Sequence, residues 1–330
     1  MRKAILALLL LLLLIGYGVV AFDYYGLVYR AMPSPANGTA QPLILCLEKK
    51  MTATNFVYTL KRNYLIQSPR LFLLMIRVQG LSNQLKAGIY QIKPGETASH
   101  FLFRVVQGDV LKLPFQIIEG TTLKNVVDVV QHLPYLIQGS DPLPKIADDH
   151  QSAEGLLLAD TYYYDAGSKS DFLLMNPHDA LMLFLNQAWA NRAPNLPYKT
   201  PYDMLIAASI IEKEAGNPDE KRLISGVIIN RLQSRMKLQM DPTVIYALGS
   251  QYVGTLSHEN LSVDSPYNTY KHYGLPPTPI AMVGKDAIDA AAHPAVTPYL
   301  YFVARGDGRH QFSETYVEQQ KAISTYQHRK

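Results

Sequence analysis

The clearest break in the pattern of apolar and polar positions comes at the start of the chain. Met1-Arg2-Lys3 is followed by nineteen uncharged residues, 4–22, with leucine dominating the centre. A helix of that length matches the hydrocarbon thickness of a bilayer. The short basic flank before it and Asp23 after it favour a cytoplasmic N-terminus, with the rest of the chain on the far side. The apolar run is long for a cleaved signal and no small-x-small site follows cleanly between Gly18 and Phe22, so a retained anchor is expected. Met32-Pro33-Ser34-Pro35-Ala36-Asn37-Gly38 then predicts an extended spacer within residues 23–41.

From Pro42 onward the apolar positions fall into short blocks. Residues 43–47, 86–92 and 115–120 read as strands, and 53–63, 69–78, 98–106 and 123–131 as helices, with turns at Lys93-Pro94-Gly95-Glu96 and Gly108-Asp109. Further along, 177–191, 201–214 and 219–236 carry the helical period, the last two as antiparallel partners across a short loop. Asp241-Pro242 reads as an N-cap and first helical residue, with Gly249 ending a short helix. Residues 257–281 form a long irregular segment, and a loop of that length inside a compact domain is more often functional than filler. A helix at 285–292, strands at 299–304 and 310–313 around a glycine turn at 306–308, and a helix to about residue 327 complete the pattern. The expected fold class is α+β: a transmembrane anchor at 1–22, a linker at 23–41, a small α+β module at 42–134 and a larger mixed α+β domain at 135–330. No internal repeat is visible.

Composition adds exclusions. With 48% hydrophobic and 18% charged residues the chain is that of a folded protein. A net charge of +4 is weak support for an anionic partner such as lipid headgroups or a wall polymer, and with this topology nucleic acid is not expected. The single cysteine, Cys46, cannot form an internal disulfide and lies too far past the apolar run for lipid attachment. Inside Leu43-Ile44-Leu45-Cys46-Leu47 it is expected to be a small buried apolar residue rather than a nucleophile. The nine histidines are scattered without ligand spacing, so no metal is expected, and no glycine-rich phosphate loop joins a strand to a helix. No cofactor is implied. Ser209 has no base at a diagnostic spacing and reads as a packing residue.

What remains is the run Ala207-Ala208-Ser209-Ile210-Ile211-Glu212-Lys213-Glu214-Ala215-Gly216, two acids at the end of an apolar helix. At about 100° per residue, Glu214 falls between Ile210 and Ala207 inside the apolar arc, and Glu212 lies about 160° away. A carboxyl group pressed against aliphatic side chains loses hydration and its pKa rises, which is how proteins make a general acid for neutral pH. The simpler alternative has both acids decorating an exposed helix end, paired with Lys213 and stopped by Gly216. Glycoside cleavage usually needs a second carboxylate about 5 to 9.5 Å away, and Glu212, Asp241 and Glu154 are all open candidates. The acidic and aromatic stretch Glu154-Gly155-Leu156-Leu157-Leu158-Ala159-Asp160-Thr161-Tyr162-Tyr163-Tyr164 suits sugar binding, and its three tyrosines equally suit a strand of high β-propensity.

The motifs Ala208-Ser209-Ile210-Ile211-Glu212-Lys213-Glu214, Asn230-Arg231-Leu232, Leu238-Gln239-Met240-Asp241-Pro242-Thr243-Val244-Ile245-Tyr246, Tyr267-Asn268-Thr269-Tyr270, Gly274-Leu275-Pro276-Pro277 and Ala291-Ala292-His293-Pro294-Ala295, with Tyr299-Leu300-Tyr301-Phe302-Val303, closely resemble the endolytic murein transglycosylase family (MltG, YceG-like). Upstream, Lys86-Ala87-Gly88-Ile89-Tyr90 and Glu119-Gly120 resemble its LysM-like region, so nearly the whole chain is covered. The resemblance implies a single-pass inner-membrane protein, anchored in lipid through residues 4–22. Its LysM-like module at 42–134 and its catalytic domain at 135–330 would lie in the periplasm. It implies a lyase that cuts within peptidoglycan glycan strands between N-acetylmuramic acid and N-acetylglucosamine, leaves 1,6-anhydro ends and limits nascent strand length, with penicillin-binding proteins as partners. Glu214 maps onto the family's catalytic glutamate. By that resemblance Glu214 would protonate the oxygen between the two sugars and then take the proton of the muramic C6 hydroxyl as that oxygen attacks the anomeric carbon, so no second carboxylate is required. Gln239, Asp241, Tyr267 and Asn268 become candidate substrate contacts, and Glu212 a supporting acid. Leu158-Ala159 and Met240 depart from the family pattern at positions able to alter saccharide contacts. The competing readings are a non-catalytic peptidoglycan-binding scaffold for wall synthases and an ordinary hydrolase yielding reducing ends.

Overall fold

The computed structural model describes residues 2–33 and 43–326. The chain divides into two compact units, residues 1–113 with 164–168 and residues 114–163 with 169–330. The sequence reading drew its boundary between 134 and 135.

In the first unit α1 (Arg2–Tyr29) presents an apolar surface, and its Lys3–Tyr29 portion is long and apolar enough to cross a membrane. The helix runs past the apolar run into the stretch expected as spacer. Leu27 and Met32 are buried, the Ser68 hydroxyl donates to the Asp23 carboxylate, and the Met32 N–H donates to the Glu96 carbonyl at 2.7 Å. Residues 23–33 are therefore docked rather than extended, because two apolar side chains here find a core to enter. The rest of the expected spacer, 34–41, lies outside the described residues.

The other elements of this unit are β1 (Ile44–Leu47), α2 (Ala53–Arg62), α3 (Pro69–Val78), β2 (Gly88–Gln91) and α4 (Ala98–Gln107). Thr52 and Thr97 cap α2 and α4 by accepting the N–H of Asn55 and His100. Gly108 closes α4 at φ 78°, a left-handed position that suits glycine. Phe56, Phe72, Tyr90 and Phe101 are fully buried at the centre, with Phe56 and Phe101 6.1 Å apart. β1 pairs antiparallel with β2, Leu45 opposite Tyr90. This pairing corrects the expectation for Cys46. Side chains alternate along a strand, so Leu45 and Leu47 turn inward and Cys46 is exposed.

The division between units falls within β3 (Lys112–Gln116) and its partner β4 (Thr161–Asp165), separated in sequence by α5 (Leu123–Gln131) and α6 (Leu143–Ala147). The three consecutive tyrosines thus belong to a strand. β3 begins earlier than expected and ends before Glu119-Gly120, where the Gly120 N–H donates to the Met282 carbonyl instead. α7 (Ser170–Ala190) also starts early and carries Pro177 in its interior, where the sequence placed the helix start.

The second unit is organised around α8 (Pro201–Glu214). Thr200 and Asp203 form a reciprocal capping box, and Pro201 occupies the first turn. Residues 204–211 are all buried, so α8 is a central helix rather than an amphipathic one, packed by α7, α9 (Lys221–Gln233), α10 (Asp241–Leu248) and α11 (Lys285–Ala292). The hairpin β5 (Tyr301–Ala304) and β6 (His310–Ser313) sets Phe302 opposite Phe312 and packs against α12 (Tyr316–Tyr326). β5 is shorter than expected. Asn230 Nδ2 takes the carbonyls of Thr297 and Tyr299 at 2.7 and 2.9 Å, which removes them from a ladder.

Candidate active site

The end of α8 opens on a cavity of about 300 Å³ lined by Glu214, Arg231, Gln239, Met240, Asp241, Tyr270, Phe302 and His310, among others. Glu214 enters as the last residue of α8, Arg231 from α9, Gln239 to Asp241 from the segment that starts α10, and Phe302 and His310 from the β5–β6 hairpin.

Glu214 has no hydrogen-bond or ion-pair partner among the described residues. Burial, then repulsion from Asp241, pushes its carboxyl up to about 8, with Arg231 pulling the other way. The carboxyl group is therefore mostly protonated at neutral pH. Glu212 is no better solvated, its side chain only 5% exposed, but it faces Lys221 Nζ at 2.8 Å and accepts the Gly284 N–H at 3.0 Å. The helical-arc reading separated the two acids by burial, whereas the structure separates them by partners. The pairing with Lys213 foreseen in the simpler alternative is absent, since Lys213 Nζ donates to the Gly120 carbonyl at 3.1 Å. Nor does Gly216 cap the helix as a left-handed glycine. Ala215 is the cap, with extended backbone at φ −75° and ψ 101°.

Asp241 is the first residue of α10 rather than its cap; Met240 holds the cap position without a side-chain bond. Freed from capping, the Asp241 carboxylate accepts the Tyr270 hydroxyl at 2.5 Å. Burial, then that bond, raises the Tyr270 pKa. Gln239 sits at φ 50°, unusual for a residue with a side chain. It is pinned by its N–H to the Thr269 carbonyl at 3.1 Å, and the Met240 N–H to Thr269 Oγ1 at 2.9 Å holds the next peptide. Backbone strain of this kind costs on the order of 1–3 kcal/mol and collects at functional sites.

Among the sequence candidates, Glu214, Gln239 and Asp241 come together in the cavity. Asn268 does not: it is completely buried, with Nδ2 donating to the carbonyls of Leu261 and Val263 at 3.0 and 2.8 Å and Oδ1 accepting the Tyr270 N–H at 2.9 Å. Its amide is used up in shaping the 257–281 segment, which is irregular apart from one short turn of helix at Asn260–Ser262. Tyr267 also lies apart. Its hydroxyl meets Thr278 Oγ1 at 2.9 Å and its ring leans on Tyr246 at 4.9 Å. Tyr246 in turn donates to Glu154, which also accepts the Leu123 N–H at 2.8 Å. Burial raises the Glu154 pKa, yet this acid does not line the cavity. Of the two departures from the family pattern, Met240 lines the cavity and Leu158-Ala159 do not.

Arg231 is the residue without an assigned role that sequence reasoning had in view. It repeats Ile224, Val227 and Ile228 at helical spacing, a cation on a buried face, and that is the signal that marks it. Nε donates to the Leu300 carbonyl and Nη1 to the Leu238 carbonyl, both at 2.6 Å, and Nη1 also to Gln239 Oε1 at 3.4 Å. Burial lowers its pKa. It ties the hairpin strand and the Gln239 segment to one wall of the cavity. No group of His, Cys, Asp and Glu among the described residues has the arrangement of a metal site.

A model of the YceG-like family matches residues 45–325. An endolytic murein transglycosylase of Bacillus subtilis is 29% identical over 296 residues, 81% of this chain and 80% of that protein. An endolytic murein transglycosylase of Streptococcus pneumoniae is 37% identical over 109 residues, covering 32% of this chain and 20% of that protein. The 2.6 Å crystal structure of a yceG-like protein from Listeria monocytogenes superposes with a TM-score of 0.52 at 25% identity, covering 84% of this chain and 98% of that one.

Proposed function

This chain belongs to the YceG-like family, and from that premise we propose that it is a membrane-anchored lytic transglycosylase of peptidoglycan. It cleaves between N-acetylmuramic acid and N-acetylglucosamine within glycan strands and leaves a 1,6-anhydro end. The relatives named endolytic murein transglycosylases support the substrate class.

The observation that carries the reading is the carboxyl group of Glu214, unpartnered in an open cavity and raised to about 8. Breaking a glycosidic bond requires a proton on the leaving oxygen. A carboxyl of ordinary pKa keeps roughly one proton in three hundred molecules at pH 7, whereas Glu214 keeps most of its own. Glu214 protonates the bridging oxygen as the muramic C6 hydroxyl attacks the anomeric carbon. Gln239, Asp241 and Tyr270 offer the saccharide donors and acceptors beside it.

In this reading α1 holds the protein in the inner membrane, with its N-terminus in the cytoplasm and both units in the periplasm. The LysM-like module holds glycan, and penicillin-binding proteins supply the nascent strands whose length the enzyme limits. Glu214→Gln keeps the shape and removes the acid. Mass spectrometry of digested peptidoglycan should show anhydro-muropeptides with the wild-type protein and none with the variant. Full release by Glu214→Gln overturns the assignment of Glu214, and reducing ends instead of anhydro ends convert the reading to a hydrolase.

A further inference from the structure

Between Glu48 and Glu96 the sequence carries eight Lys and Arg residues and no acid, a local charge of +8 in a chain whose net charge is +4. That stretch belongs to the first unit, together with α1. The same unit holds a cavity of about 550 Å³, walled on one side by the last turns of α1 from Phe22 onward and on the other by residues 64–68, between α2 and α3. It begins where the uncharged run 4–22 ends, so in the proposed anchor it would stand at the level of the lipid headgroups. Leu27, Leu65 and Ile66 give it buried apolar wall. Arg30 also lines it and makes no hydrogen bond or ion pair among the described residues. Across from it, Lys61 Nζ donates to the carbonyl of Gln67, a lining residue, at 3.1 Å. Asp23, the acid in the lining, is taken by the Ser68 hydroxyl. Tyr64 stands 84% exposed on a backbone at φ 58°, rare for a residue with a side chain, and Phe22 and Tyr25 are exposed beside the same cavity. Aromatic side chains of this kind collect at the membrane–water interface. The wall has free space at Gly26, where a Cβ would meet no group outside its own helix within 4 Å.

We propose that this cavity takes the headgroup of an anionic phospholipid from the bilayer, its phosphate paired with Arg30 and its acyl chains lying along the apolar surface of α1. This rests on the reading of α1 as a membrane anchor. Long side chains on a helix lean toward its N-terminus, which is here the membrane side, so the direction of Arg30 suits a phosphate below it. A lipid offers apolar chains and then a charged group in the order in which the lining offers Phe22 and then Arg30. A soluble anionic polymer has the second and not the first. The volume lies within the range of about 300–1,000 Å³ usual for small-molecule sites, and the surrounding cations draw anionic headgroups toward the unit. A lipid held there fixes the first unit on the bilayer surface in one orientation, where an anchor alone would leave it free to turn.

The test reconstitutes the full-length protein in bilayers of equal parts phosphatidylcholine and phosphatidylglycerol, extracts it in mild detergent and identifies retained lipid by native mass spectrometry. Wild type should keep phosphatidylglycerol in preference to phosphatidylcholine. Gly26→Leu fills the cavity without changing charge and should lose the lipid. Gly18→Leu, the same change inside the apolar run where space is equally open, should keep it. Arg30→Gln should weaken retention about fivefold, the effect of one cation at an anionic surface, and added salt should weaken it further. Wild-type retention in Gly26→Leu, or equal retention of the two lipids by wild type, overturns the proposal. Should Gly26→Leu fail to fold, Arg30→Gln decides, and unaltered retention there overturns it. A dimer mass in place of lipid, abolished by Gly26→Leu, would give the cavity to a second copy of the chain and overturns it too. Protein that never enters the bilayer refutes the anchor reading, and this proposal with it; protein that enters and keeps no lipid refutes this proposal alone.

Discussion

Two glutamates two residues apart, both drawn out of water, end in different chemistry because one has a cation within reach and the other does not. Glu212 against Lys221 is a buried ion pair, and the Gly284 N–H adds a second anchor. For Glu214 burial and repulsion from Asp241 outweigh the attraction of Arg231, so its proton stays. That proton has a thermodynamic signature. The carboxyl's value rises from an ordinary 4.5 in the unfolded chain to about 8 in the fold. Between those values the folded state holds a proton that the unfolded state has released, so each rise in pH favours unfolding. The group is neutral to stability below pH 4.5 and increasingly costly up to about 8, above which the cost is constant. Glu214→Gln removes the term. Its gain over wild type, discounted for solvent in the cavity, is expected to be near zero at about pH 4 and roughly 2–4 kcal/mol at about pH 8.5. Urea titrations at the two pH values check it, and a gain that does not grow with pH refutes the protonated state. The sequence held part of this: the apolar run before Glu214 announces desolvation, but Lys221 as the partner of Glu212 lies across a loop and no local pattern names it.

At the scale of elements, helices punctuated by their own chain were legible to the residue. Pro69–Val78, Leu123–Gln131, Pro201–Glu214 and Lys285–Ala292 all fall where periodicity and their flanking residues put them. Strands were less so, because a four-residue strand is defined by a partner elsewhere: β5 loses residues 299 and 300 where Asn230 and Arg231 claim their carbonyls. The loop at 257–281 was legible as irregular and illegible in its wiring. Asn268 looks from sequence like a polar contact for a sugar, yet its amide satisfies two loop carbonyls and one N–H. Asn268→Ala leaves those buried groups unpaired, at about 2–4 kcal/mol. The expected outcome is a lower denaturation midpoint, together with faster amide exchange in 257–281. The alkaline limb of the activity profile should stay put, because Glu214 and its neighbours are untouched. A displaced limb with unchanged stability would instead make Asn268 part of the chemistry.

For the whole molecule the consequential finding is where the apolar helix ends. Residues 4–22 span about 28 Å at 1.5 Å per residue, close to the hydrocarbon thickness of about 30 Å, so in the proposed anchor the last turns of α1 would stand clear of the lipid core. Those turns are where Asp23 receives the Ser68 hydroxyl and Leu27 enters the core of the first unit, followed by Met32. A spacer read from Pro, Ser and Gly content would give reach; a docked helix end keeps the first unit close to the bilayer that α1 is proposed to cross. Burying Leu27 and Met32 stabilises the first unit by about 1.5–3 kcal/mol each. Two soluble truncations separate the pictures. A protein starting at Asp23 keeps the docked turns, and one starting at Leu43 loses them. If residues 23–33 are part of the fold, the shorter protein should have an unfolding free energy lower by several kcal/mol in the first unit and a correspondingly lower denaturant midpoint, with amide exchange in α3 and α4 accelerated and the α8 core unchanged. Equal stability of the two would mean that the helix end rests on the unit without supporting it.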